Sequence, residues 1–200
     1  KDYFAIETDT VFEIGLTPNR SDATNHLGVA RDLGAYLKIN HADTGDVKLP
    51  DVSGFKVANN DLPVAVEVVN PESCPRYPGV SIPGVTIKES PDWLKKRLTA
   101  IGVRPITNIV DITNFILHEL GQPLHAFDLD KITNRKIIVD NLPEGTSFQS
   151  LDERERQLSA EDLIICDGDR NGMCIAGVFG GLKSGVTPTT TNIFLEAAHF

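Results

Sequence analysis

"NFILHELGQPLHAFD", residues 114–128, decides how the chain is read. Its first half continues a helical pattern that begins near Thr107. Ile109, Ile112, Ile116 and Leu120 recur on one stripe, so the spacing predicts a helix over 107–120 with that stripe buried. Gly121 and Pro123 end it. His125 and Asp128 therefore lie beyond the helix, on either side of Phe127. Asn114 falls on an apolar row with Val110 and Leu117, and a buried amide left unbonded costs about 1–3 kcal/mol. A backbone hydrogen bond would satisfy Asn114, and a helix-capping role would satisfy His125. Together they are more polar chemistry than a core helix needs.

Upstream, Phe12-Glu13-Ile14-Gly15-Leu16 alternates with period two and predicts a half-buried strand. Ser21 is placed as a helix N-cap with Asp22 at the positive end, followed by Leu27, Ala30, Leu33 and Leu37 at helical spacing. Residues 40–62, polar and rich in Asp and Gly, predict a loop or short linker. Val64, Val66 and Val68 predict a strand, and the prolines between Pro71 and Pro83 break the next stretch into short extended pieces. Ser90-Pro91 starts a helix with Pro at its first position. Leu94, Leu98 and Ile101 form its apolar row, and Gly102 ends it.

From Lys136 onward strands dominate: 137–139, a hairpin around 152–155, 163–166 and 193–195. Glu196 interrupts the apolar run 193–200, on one face with Phe194 and Ala198. A carboxylate there needs a reason, since an unpaired buried charge is costly. Without βαβ alternation, the pattern gives an α+β class: mixed, largely antiparallel β-sheets with a few flanking helices around one pocket.

Composition narrows the function. The chain has 200 residues, 40% apolar and 24% charged, with a formal charge of −9. That charge argues against a broad nucleic-acid footprint, which needs clustered Lys and Arg. No apolar run approaches the ~20 residues of a membrane span. Cys74, Cys166 and Cys174 are three, without C-x-x-C spacing, which favours free thiols in a reducing cytosol. Lys1-Asp2-Tyr3 shows no secretory leader, and the ending at Phe200 suggests a segment of a longer polypeptide. His118-Glu119 fails as a zinc-protease helix, because position 122 is Gln. Gly181-Leu182-Lys183-Ser184-Gly185 lacks the spacing of a nucleophile elbow, and no Walker lysine follows Gly177, Gly180 and Gly181.

Four blocks carry a resemblance: PNRSDATNHLGVARDLGAYL (18–37), RPITNIVDITNFILHELGQPLHAFD (104–128), IAGVFGGLKSGV (175–186) and IFLEAAHF (193–200). Together they resemble the B3/B4 module of the bacterial phenylalanyl-tRNA synthetase β subunit, over essentially all of 1–200. The resemblance implies a post-transfer editing domain that hydrolyses tyrosine misattached to the phenylalanine tRNA. It implies that His125 and Asn114 position water and ester, while Thr113, Pro123, Gly177, Gly180 and Glu196 bind the amino acid. Glu196 would read the tyrosine hydroxyl. A positioned water attacks, without a metal or protein nucleophile. No cofactor is implied for editing; ATP and magnesium belong to the synthetic site of the α subunit. Implied partners are the acceptor end of the tRNA and the α subunit of a heterotetramer, in the cytoplasm, with neither membrane nor DNA. The family's Thr-Asp-Ala-Ser segment, which completes the pocket, would follow Phe200. The competing expectation is a non-catalytic structural or tRNA-docking module. A concave site joining Asn114, His125 and Glu196 would favour editing; an ion on His118 or His125 would revive a metal hydrolase.

Overall fold

The computed structural model describes residues 9–41 and 45–200. Residues 42–44, inside the expected 40–62 loop, lie outside the described residues. The chain divides into two compact units, Lys1–Asp51 with Glu89–Gln122, and Val52–Lys88 with Pro123–Phe200.

The first unit is helical: α1 (His26–His41), α2 (Asp92–Ala100) and α3 (Asn108–Leu120). The expected start of α1 moves. Ser21–Ala23 forms a 3-10 turn, and the side chain of Asn25 accepts from Gly28 N at 2.9 Å. Asn25 is therefore the cap, and Asp22 is drawn into a salt bridge with Arg20 instead. The expected strand over 12–16 does not form. Those residues have no regular structure, and Phe12 is 80% exposed. Alternation makes a strand only where a neighbouring strand takes up its backbone bonds, and none does so among the described residues.

In α2, Leu94 and Leu98 are buried as expected, whereas Ile101 is at the surface. Pro91 sits at the cap rather than the first helical position, a one-residue difference. The Ser90 hydroxyl turns away to donate to Asp111 Oδ2 at 2.5 Å. Asp111 also accepts from Ile106 N at 2.8 Å and is fully buried. That polar anchor fixes the rotation of α3 and leaves Ile112, expected on the buried stripe, 47% exposed. Thr107 stands at the N-cap position of α3 without a capping side-chain bond, and Gly121 closes the helix with φ 79°.

The second unit is built of strands. Its largest sheet runs β1 (Ala65–Val68), β4 (Lys136–Asn141), β7 (Leu163–Cys166), β8 (Gly172–Ile175) and β9 (Phe179–Gly180) in that spatial order. Only the β1–β4 pairing is parallel. A three-stranded antiparallel sheet has β10 (Asn192–Glu196) between β2 (Gly79–Pro83) and β3 (His125–Asp128). The hairpin expected near 152–155 is β5 (Ser147–Gln149) and β6 (Glu155–Gln157). The apolar runs Ile137–Val139 and Ile164–Cys166 are the buried centre of the large sheet. Phe127 and Phe194 join Ile137, Val139 and Ile165 in one core cluster. The class is α+β, as the pattern indicates.

Candidate functional site

Strand register gathers the site. On β10, Phe194 pairs with Phe127 and Glu196 pairs with His125; on the other side they pair with Ser81 and Gly79. Directly paired residues share a face, with Cβ atoms about 5 Å apart. One face of this sheet thus presents two buried aromatic rings, then an imidazole beside a carboxylate. The His125 ring leans edge-on against Phe127, centroids 4.4 Å apart. His125 is not a helix cap, as one sequence reading had it, but the first residue of β3.

Glycine makes the room. A Cβ at Gly79 would lie 2.1 Å from the Phe194 ring, so only glycine lets that ring lie across β2. A Cβ at Gly180 would come within 2.8 Å of Leu151 and 3.0 Å of the His125 ring. Gly180 therefore brings bare backbone against the imidazole. Gly177 occupies the β8–β9 turn with φ 66°, the left-handed region, and a Cβ there would meet the Phe200 ring at 3.2 Å. Phe200 in turn lies 6.3 Å, centroid to centroid, from Tyr77.

Tyr77 is the residue that sequence reasoning missed. Its hydroxyl donates to Glu196 Oε2 at 2.7 Å. Glu196 is 6% exposed; among the described residues Tyr77 alone donates to its carboxylate, and Oε1 keeps the residue's remaining access to solvent. Burial pushes the Glu196 carboxyl up to about 7, the Tyr77 bond partly opposing it. The Tyr77 hydroxyl is driven far above its ordinary value by burial and by the neighbouring carboxylate. Burial alone lowers His125 to about 4, so the ring is neutral at physiological pH. Its Nε2 is buried without a hydrogen-bond partner among the described residues. An unsatisfied imidazole nitrogen and an open carboxylate oxygen on one sheet face form a polar pair that can receive a ligand.

His125, Gly180 and Glu196 are thus brought together, and Gly177 reaches them through Phe200 and Tyr77. Pro123 is exposed just before β3. Thr113 and Asn114 lie half-buried on α3, in the helical unit. Thr113 Oγ1 donates to the Val110 carbonyl one turn back, at 2.7 Å. A separate polar cleft of about 770 Å³ includes Lys131, Asp167, Arg170 and Asn171, and none of the expected site residues. Several of its charged groups are already engaged: Lys131 with the Gly185 carbonyl, Arg170 with Asp140, Asp167 with Asn171 and Glu155 with Ser147. The expected residues His125, Gly180 and Glu196 gather at the Glu196 face instead.

Comparison with known proteins identifies relatives of the chain. The chain is 56% identical over 200 residues to the phenylalanine–tRNA ligase beta subunit of Bacteroides thetaiotaomicron, covering 100% of this chain and 24% of that protein. The Porphyromonas gingivalis beta subunit is 54% identical over 199 residues, with 100% and 24% coverage. That of Salinibacter ruber is 46% identical over 193, with 96% and 22%. The chain spans about a quarter of the length of these relatives. In fold it resembles the crystal structure of an N-terminal fragment of the phenylalanyl-tRNA synthetase beta subunit from Pyrococcus horikoshii. That likeness has a TM-score of 0.51 at 19% identity, over 90% of this chain and 52% of that one. No described helix is long and apolar enough to cross a membrane. Residues 73–200, which carry Tyr77, His125, Gly180 and Glu196 alike, match the sequence model of the B3/4 domain, and the chain belongs to that family.

Proposed function

We propose that this chain is the post-transfer editing module of a phenylalanyl-tRNA ligase β subunit, and that it hydrolyses the ester of tyrosine mischarged on phenylalanine tRNA. The observation that carries the reading is Glu196: a buried carboxylate with one oxygen unbonded, on the same face as an imidazole with an unbonded nitrogen. The buried imidazole nitrogen is costly unless a ligand completes it, and a ligand that closes Oε1 off from water must supply a donor there. A tyrosine hydroxyl donating to Oε1 would do so; a phenylalanine ring would not.

The discrimination is of the kind that a second site must provide. An apolar pocket rejects an analogue with one added hydroxyl by only about 10²-fold, whereas a site built to bond the hydroxyl rejects its absence by up to about 10⁵-fold. In the hydrolysis, water oxygen adds to the ester carbonyl, the bond to the terminal ribose breaks, and the ribose oxygen leaves as a hydroxyl. Free tyrosine and intact tRNA result. With its pKa near 4, His125 is a weak base at neutral pH. Its role is to orient water or carbonyl by hydrogen bonding, not to store a proton. The family resemblance adds Asn114 to that task and gives Thr113, Pro123, Gly177 and Gly180 to the amino acid. The parent's α subunit and the tRNA acceptor end are the partners that this reading requires.

The test is deacylation of tyrosyl- and phenylalanyl-tRNA by the intact two-subunit ligase and its Glu196→Ala variant. A hydrogen bond to a charged group is worth about 1.5–3 kcal/mol, so tyrosyl-ester hydrolysis should fall roughly ten- to a hundredfold. Phenylalanine activation should be unaffected. An unchanged tyrosyl preference would make this a structural or tRNA-docking module.

A further inference from the structure

Glu196 is held, and what holds it is itself clamped. Tyr77 lies two residues before Gly79, the β2 residue paired with Glu196. On either side of it, Ala197 N donates to Pro78 O at 3.0 Å and His199 N to Arg76 O at 2.8 Å. Residues 76–78 are thereby zipped to the continuation of β10. The Tyr77 ring packs in the core with Cys74, Phe127, Cys174 and Phe194. Its phenol cannot swing away from the carboxylate without breaking those contacts, and it keeps its proton throughout the working pH range.

We propose that Tyr77 is a specificity-determining positioning residue: by holding Oε2, it aims Oε1 of Glu196 at the hydroxyl of a phenolic amino acid. This rests on the editing reading of Glu196. Two phenols then share one carboxylate, one from the protein and one from the ligand, each donating to its own oxygen. A ligand without the hydroxyl leaves Oε1 unpaired in a buried site, and that penalty is the source of selectivity.

The groups near Glu196 leave a clear readout. His125 of β3 is neutral, Cys174 of β8 is pushed up to about 12 by burial, and Cys74 is also raised by burial. Strand β2 contributes no titratable side chain. The change of charge between pH 6 and 9 is therefore that of Glu196 itself. Tyr77→Phe removes one hydroxyl and keeps the ring. In the intact ligase, the tyrosyl-over-phenylalanyl preference should fall about tenfold, because the bond that orients the carboxylate is gone. The pH midpoint of that preference should move up, since the Tyr77 bond favours the ionised form. The double variant with Glu196→Ala should be no worse than Glu196→Ala alone. General loosening would slow both esters equally and leave the midpoint in place, which would overturn the proposal. So would a wild-type preference in Tyr77→Phe while Glu196→Ala loses it, with the editing reading intact. Absence of any tyrosyl preference in the wild type would remove both. Should Tyr77→Phe fail to fold, a fluorinated tyrosine at position 77 strengthens the donor and should move the midpoint down; an unmoved midpoint would count against the proposal.

Discussion

Replacing Glu196 or His125 with glutamine, one at a time, should split two opposite pH dependences that cancel in the native chain. Burial raises the Glu196 carboxyl from 4.5 to about 7, so the folded state binds its proton more tightly than the unfolded chain does. The stability it contributes is complete below pH 4.5 and is lost as pH rises through 7. Burial lowers His125 from 6.5 to about 4, so the folded state resists protonation. Its contribution is complete above pH 6.5 and is lost as pH falls through 4. Each gap corresponds to about 3 kcal/mol. Between pH 4.5 and 6.5 the two slopes oppose each other. Urea unfolding at half-unit pH steps gives stability for each variant, and subtracting the native curve cancels every other carboxylate. The Glu196→Gln difference should rise by about 3 kcal/mol from pH 4.5 to 7. The His125→Gln difference should fall by about as much from pH 4 to 6.5. A flat Glu196→Gln difference would mean that its carboxyl titrates like a solvated one, and the buried-acid argument would collapse with it.

Ser90→Ala should cost about 1–3 kcal/mol of stability, measured by thermal or urea unfolding, because fully buried Asp111 would lose the hydroxyl 2.5 Å from its Oδ2. Asn114→Ala should leave unfolding nearly unchanged, since its amide bonds no described residue, while slowing tyrosyl-tRNA deacylation in the intact ligase. A large loss of stability instead would assign the amide to structure.

Elements whose signal is local were legible in the sequence. The run 107–120 carries its own start and stop in Thr107 and Gly121, and α3 follows it within one residue. The hairpin near 152–155 and the runs at 137–139, 163–166 and 193–195 likewise match strands. Failures came where the deciding partner is distant. Residues 12–16 alternate as a strand should, yet alternation does not supply a neighbour. Ser21 resembles a cap as well as Asn25 does, and only the Gly28 N–H shows which side chain is used. Strands β8 and β9 are four and two residues long and rich in glycine, so period and propensity are too weak to mark them.

The candidate site divides in the same way. A charge inside an apolar run is visible along the chain, so Glu196 could be singled out as a buried acid in need of a partner. The identity of that partner could not, because Tyr77 lies 119 residues away. A carboxylate kept from water needs a donor, and the sequence offers many besides its three tyrosines: hydroxyls, amides, cations and backbone N–H groups. What selects Tyr77 among them is the pairing of Gly79 with Glu196, which draws the preceding segment alongside β10. The direction of each pKa shift depends on the same pairing. His125 and Glu196 are ordinary residues in the sequence, and they become a neutral base and a reluctant acid only when register places both on one buried face. Chemistry at this site is therefore a property of register, and a one-residue slip of β3 against β10 would turn His125 to the opposite face from Glu196.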